Sequence, residues 1–281
     1  MRIQTMTPAA LSIAGSDPSG GAGIQADIKT FTVLGVYGGA AITALTSQNT
    51  MGVTSFMSLP AAFVKKQVRD VLDDLNVTHI KIGMVGNREI AEVLGEILSG
   101  FTGEIIYDPV LKSSSGNFLF AGGCETVIRH IISHSTFLTP NIPELEILTA
   151  RKCPDADAAL TAAQGLFALS PTLKGVCLKG GHLNEGDKIV TDYLVRKSGD
   201  RSGTAPSFHI HPARHARITT PNTHGTGCTF ASAFTAYHML TGNAEKAFSN
   251  ACAFMDILLS NSVTERIGHG TGPLLHHSFR R

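Results

Sequence analysis

The chain lacks a charge excess: 23 lysines and arginines stand against 22 aspartates and glutamates among 281 residues. No global field draws it to nucleic acid or to membrane surfaces, which points to a small partner. Cysteine is sparse and unpatterned. The five, Cys124, Cys153, Cys177, Cys228 and Cys252, are odd in number and never spaced as CxxC. That argues against a disulfide framework or a structural zinc site and fits a reducing cytosol. No run of 18 apolar residues occurs, and the short run Ala9 to Ala14 enters a glycine-rich loop, so neither export nor a membrane span is expected. A charged or Ser/Pro-rich linker, internal repeats and low-complexity tracts are missing too, so residues 1–281 are expected to form a single domain.

Glycine is plentiful and gathers in loops. The run NTHGTGCTFASA, Asn222 to Ala233, is a glycine-threaded loop that opens into a small-residue helix. Gly225 and Gly227 allow successive N–H groups, with Thr226 between them, to face one concavity at the positive end of a helix dipole, which suits a phosphate. Cys228 sits in the same field, so its thiolate is expected to be favoured, with a pKa drawn toward roughly 3.5–7.5. An activated sulfur beside a phosphate cradle suggests phosphoryl transfer.

Short β-rich runs alternate with amphipathic helical patterns, which defines an α/β chain around a largely parallel sheet. Strands are expected at Ala10–Ala14, Gly38–Thr43, His79–Met84, Ile105–Val110, Phe137–Thr139 and Val176–Lys179, with their following loops on one sheet edge. Ser58 and Pro60 read as the cap and first turn of a helix to about Leu75, with Phe63, Val68, Val71, Leu72 and Leu75 inward. Asn87 caps another to about Leu98. Residues 189–211 read as a hairpin around KSGDRSG, which makes the sheet mixed. Ala244 to Asn261 should pack behind the Cys228 helix.

A second glycine-rich loop, AGSDPSGGAG, spans Ala14 to Gly23. Its GAGIQA is a formal dinucleotide fingerprint, but no acid follows at Ala41–Ser47, and no Gly-Lys-Ser/Thr makes it a Walker loop. A ligand-pocket wall that includes Asp27 or a plain tight turn accounts for it better. Asp108 in YDPVL and Glu144 in TPNIPE end strands and could hold Mg²⁺, or could be turn and first-turn acids. Lys179 in KGGH could approach a nucleotide phosphate. Gln48 and Asn49 could read a heterocycle edge. His209, His211 and His215 lack a completing ligand and read as a solvated strand face.

In this order the motifs AGSDPSGGAGIQADIKT, ITALTSQNT, KIGM, TPNIPE, KGGH, NTHGTGCT and GHGTGP resemble the ribokinase-like superfamily, and within it the hydroxymethylpyrimidine/phosphomethylpyrimidine kinases of thiamine biosynthesis. The resemblance implies a three-layer α/β/α sandwich, ATP and Mg²⁺, a small pyrimidine substrate and a homodimer. It implies that Gly15, Asp27, Gln48 and Met84 line the pyrimidine pocket. Asn141, Glu144 and Asp108 would form the magnesium and phosphate region, and Lys179 would approach the nucleotide. Gly225, Thr226, Gly227 and Cys228 would form the anion hole, with Cys228 as base toward the substrate hydroxymethyl group. A pyridoxal kinase of the cysteine-containing type, a non-catalytic pyrimidine sensor and a sugar kinase are the competing readings. The sugar kinase is disfavoured by the cysteine and by the lack of a recognisable β-lid insertion.

Overall fold

The computed structural model describes residues 6–111, 120, 123–183, 186–198 and 207–280. Among the described residues nine strands form one sheet in the order β3-β2-β1-β4-β5-β6-β7-β8-β9. The strands are β1 (Ala9–Ser16), β2 (Tyr37–Asn49), β3 (Gly52–Ser58), β4 (Val77–Ile82), β5 (Glu104–Tyr107), β6 (Phe137–Leu138), β7 (Gly175–Leu178), β8 (Ile189–Lys197) and β9 (Phe208–Ala216). From β2 to β7 all neighbours run parallel, while β3, β8 and β9 add antiparallel edges. β1 is buried along all but its last residue, as expected for an apolar run in the middle of a parallel sheet covered on both faces.

The helices are α1 (Gly23–Leu34), α2 (Ala61–Asp74), α3 (Arg88–Leu98), α4 (Cys124–His130), α5 (Ile142–Thr149), α6 (Ala156–Gly165), α7 (Thr226–Thr241) and α8 (Ala244–Asn261). α2 to α6 share one apolar core with the sheet, through residues such as Val64, Leu94, Val127, Leu145 and Ala159. α1, α7 and α8 cover the opposite face through Phe31, Phe234, Phe248 and Phe254, with α8 packed behind α7 as expected. Asn87 caps α3 by accepting the Ile90 N–H at 2.9 Å. Among the described residues no helix is long and apolar enough to cross a membrane.

Several local expectations change. Ser58 does not cap α2. It ends β3, and Pro60 takes the cap position, because the residue before a proline is pushed toward extended backbone. Phe63 is 55% exposed, since the buried stripe of α2 runs through Val64 and Val68. β2 continues through Gln48 and Asn49 and turns into β3, a strand missing from the sequence reading. Its side chains are mostly exposed, so no burial pattern marks it. The β8–β9 hairpin is present, and residues 199–203 of its expected turn KSGDRSG lie outside the described residues. His215 departs from a solvated face. It lies 3.2 Å from Asp192 on β8 and 3.2 Å from Asp256 on α8.

Candidate active site

The carboxyl ends of the parallel strands converge with the N-termini of α1 and α7 on one crevice, where open α/β sheets leave room for ligands. Two glycine loops meet there. Gly225 has φ +81°, and a Cβ on it would collide with the carbonyl oxygen of Gly21, so the NTHGTGC and SDPSGGAG loops touch backbone to backbone. α7 begins at Thr226, whose own N–H turns back to Thr223 O at 3.4 Å, so the next N–H groups, those of Gly227 and Cys228, and the positive dipole end face the crevice. At Gly227 a Cβ would lie 3.4 Å from the Lys179 ammonium and 3.5 Å from Asp108 Oδ2. The glycine thus leaves open a cradle between a cation, a carboxylate and the helix start.

Lys179 Nζ donates to Asp108 Oδ1 at 3.0 Å and lies 3.8 Å from Glu144 Oε2. Burial works against its charge, yet Asp108 and Glu144 outweigh that and raise its pKa. Burial also works against the Asp108 carboxylate, but Lys179 and Lys81 hold its pKa below the usual range. Glu144 goes the other way, pushed up to about 7 by burial, which the attraction of Lys179 does not offset, and by repulsion from Asp108. Asn141 and Glu144 form a capping box on α5, each side chain accepting the other's N–H at 2.8 Å, so their first role is to place the helix. Two crowded carboxylates suit a hard divalent cation. Among the described residues no group of three or more His, Cys, Asp or Glu could hold a metal ion, so a cation here would complete its shell with phosphate oxygens and water.

On the other wall, Gly15 faces Met84: a Cβ on Gly15 would lie 3.0 Å from the methionine sulfur. Met84 packs with Ala44 and Val110 to make a small apolar floor. Gln48 is drawn toward the anion loop, its Nε2 standing 3.1 Å from His224 Nε2. His224 Nε2 also stands 2.8 Å from Asp17 Oδ2, and Asp17 accepts N–H groups of Ser19, Gly21 and Ala22. Burial would raise the Asp17 pKa, but His224, Ser19 and the loop amides bring it down to about 2. Asp17 is therefore a fixed anion that folds the first glycine loop. The glycine-rich terminus closes the same region, because Gly272 O accepts the His224 N–H at 3.0 Å.

Two expectations are overturned. Asp27 does not line the crevice. It is fully buried, paired with the equally buried Lys81 at 2.9 and 3.0 Å, and accepts from Ser12 at 2.5 Å and Ser232 at 2.6 Å. All of its strong acceptor directions are taken inside the protein. Nor does the helix dipole activate Cys228. Burial pushes its thiol up to about 11, with Lys81 and the Gly23 N–H only partly opposing and Asp27 and Asp108 adding to the rise. Asp17, His224, Lys81 and Ser232 were missed by the sequence reading. Lys81 had a signal, since a lysine in an apolar buried strand demands a partner; Asp17 had one in the Asp-Pro-Ser-Gly turn. Nothing local marked His224 or Ser232.

A mixed nine-stranded sheet between two helical layers, with a glycine anion loop at a helix start beside a lysine and two carboxylates, defines the ribokinase-like class of small-molecule kinases. A family model described as phosphomethylpyrimidine kinase matches residues 17–275. The hydroxymethylpyrimidine/phosphomethylpyrimidine kinase of Escherichia coli is 37% identical over 273 residues, 95% of this chain and 96% of that one. The crystal structure of a phosphomethylpyrimidine kinase from Clostridium difficile superposes with a TM-score of 0.74 at 35% identity, covering 89% of this chain and 98% of that one. A Staphylococcus aureus pyridoxal kinase in complex with AMP-PCP and pyridoxal gives 0.80 at 28% identity, covering 99% and 96%. The chain belongs to the hydroxymethylpyrimidine/phosphomethylpyrimidine kinase family.

Proposed function

We propose that this protein transfers the γ-phosphoryl group of MgATP to 4-amino-5-hydroxymethyl-2-methylpyrimidine, and then to its monophosphate, in thiamine biosynthesis. The observation that carries the reading is the open cradle at Gly227, where the α7 N-terminus, Lys179 and Asp108 meet within reach of a flat-ring wall made by Gly15, Gln48 and Met84. Gly225, Thr226, Gly227 and Cys228 receive the transferred group, and Asn141 and Lys179 orient the donor phosphates. Asp108 and Glu144 hold Mg²⁺, which when bound neutralises phosphate charge. Phosphoryl transfer has a loose transition state, so alignment and fixed positive charge supply most of the rate enhancement and the base least. The substrate hydroxyl oxygen bonds to the γ-phosphorus, the bond to ADP breaks, and the hydroxyl proton passes to Cys228. Because the resting thiol is protonated near neutrality, only its thiolate fraction accepts that proton, and turnover should rise with pH.

Pyridoxal kinase activity is the second reading, favoured by the full-length likeness to a pyridoxal kinase and by an apolar floor that fits either heterocycle. The reading further includes one kinase domain acting as a homodimer in the cytosol. A continuous nine-stranded sheet supports the first. Exposed Tyr37, Met51, Phe56 and Met57 along the β2–β3 edge support the second. Five free cysteines support the third. The test is ATP consumption by the purified protein with Mg²⁺ and, separately, hydroxymethylpyrimidine, its monophosphate and pyridoxal, with product masses recorded. Turnover on both pyrimidines is expected; turnover on pyridoxal alone would move the activity to vitamin B6 salvage, and silence on all three would leave a binding protein.

A further inference from the structure

The KGGH turn that presents Lys179 is held by the β8–β9 hairpin, a region with no motif of its own. Residues Gly180–His182 make a single 3-10 turn directly after Lys179. Asp192 on β8 accepts the Gly180 N–H on Oδ1 at 2.7 Å, and Arg217, just past β9, donates from Nη1 to Gly181 O at 3.1 Å. Asp192 thus accepts from the turn and Arg217 donates to it. Contact is tight: a Cβ on Gly180 would collide with Thr191 O, so the turn lies directly against the β8 backbone. Asp192 is itself fixed from behind. His215 Nε2 lies 3.2 Å from its Oδ2, Cys252 Sγ lies 3.9 Å from the same oxygen, and the other His215 nitrogen lies 3.2 Å from Asp256 on α8. Arg217 is anchored by a second bond, Nε to Asp187 O at 2.9 Å.

We propose that Asp192 and Arg217 are positioning residues that clamp the Lys179–Gly180–Gly181 turn, so that the Lys179 ammonium stands between Asp108 and Glu144 where the phosphoryl donor lies. His215 and α8 brace Asp192 from the far side. The inference rests on the reading of Lys179 as a contact to the nucleotide phosphates. Misplacing that ammonium by a fraction of its reach should affect the donor and spare the pyrimidine wall, which other strands build.

The test is steady-state kinetics of the full chain with MgATP varied at saturating pyrimidine, together with hydrogen exchange at the Gly180 amide. Asp192→Ala should lower kcat/KM for MgATP by roughly 10- to 100-fold and leave the pyrimidine KM within about twofold. Asp192→Asn keeps an acceptor oxygen for the Gly180 N–H and should retain activity within about fivefold. In a Lys179→Ala background, Asp192→Ala should add less than about twofold, because the two act through one group. Equal losses in both backgrounds, or a pyrimidine KM that rises with the MgATP KM, would overturn the clamp. If Asp192→Ala does not fold, Arg217→Met loosens the same turn from its more exposed side, with the same expectations. Should Lys179→Ala leave the MgATP dependence untouched, the role of Lys179 fails. The clamp is then judged by exchange alone: Asp192→Ala must abolish protection at Gly180, and retained protection refutes it.

Discussion

Breaking the Asp27–Lys81 pair should cost far more than breaking any surface ion pair of this protein. Both side chains are wholly buried, and the pair ties β1, α1, β4 and α7 together through Ser12 and Ser232. Lys81→Met leaves a carboxylate with only two hydroxyl donors in a medium that solvates charge poorly, a loss of about 3–5 kcal/mol. Asp27→Asn strands an ammonium and should cost a similar amount. For a chain of this size each kcal/mol moves the midpoint by about 2–4 °C, so either single variant should melt roughly 6–20 °C lower. The double variant Asp27→Leu/Lys81→Met removes both charges and should regain most of the loss, giving a coupling of about 3 kcal/mol in a double-mutant cycle. Urea unfolding of the four proteins, followed by circular dichroism, measures it. Unchanged midpoints in the single variants, or additive losses in the double, would show that the pair is not the linchpin its burial implies. The double variant also separates scaffold from chemistry: Lys81 is the main influence lowering the Cys228 thiol, so a refolded double variant should still turn over more slowly.

Cys228→Ala should reduce turnover about 100-fold or more while pyrimidine binding, read by calorimetry, stays near the parent value; lost binding with retained turnover contradicts the assignment. Gln48→Ala should raise the pyrimidine KM with a smaller change in kcat, and an unchanged KM removes Gln48 from the substrate wall. Gly225→Ala places a methyl group against Gly21 O at φ +81°, and should separate the two glycine loops, lower stability by about 2 kcal/mol or more and abolish activity; a soluble variant of parental stability and activity would refute it. Acid should destabilise the fold before the surface carboxylates protonate. Burial, aided by His238 at His79 and by Lys29 at His276, brings both imidazoles down to about 4 from the ordinary 6.5. The unfolded chain then takes up protons first, so this stability is complete above about pH 6.5 and is lost as pH falls toward 4. The two together amount to about 5 kcal/mol between pH 7 and 4.5. Glu144, held near 7 in the fold and so protonated there before it is in the unfolded chain, offsets part of this, and a urea midpoint that rises between pH 7 and 4.5 contradicts the net loss.

Much of the architecture and part of the site were legible along the chain. The βα alternation, the Asn87 cap, the final helix from Ala244 and the glycine loop before Cys228 are local patterns whose physics depends on neighbouring residues alone. Strand ends carrying Asp108, Asn141 and Lys179 followed from the rule that parallel strands place their exits on one edge. The exposed β3 left no such trace, because an edge strand with apolar side chains on its open face shows no inside-outside alternation.

Local patterns along the chain suffice to reveal its kind: an α/β protein with two glycine loops at helix starts and the chemical groups a phosphoryl-transfer site needs. The tertiary structure alone decided which of those groups face the crevice and in what charge state. Asp27 and Lys81 lie 54 positions apart and Asp27 and Ser232 lie 205 apart, so no local pattern could show that this carboxylate is spent inside the protein. Cys228 sits at a helix start, which sequence reveals, but also half-buried beside two carboxylates, which it does not. Helix dipoles act within one turn and can be read from a motif, whereas desolvation depends on everything packed around an atom, and here desolvation is the larger effect.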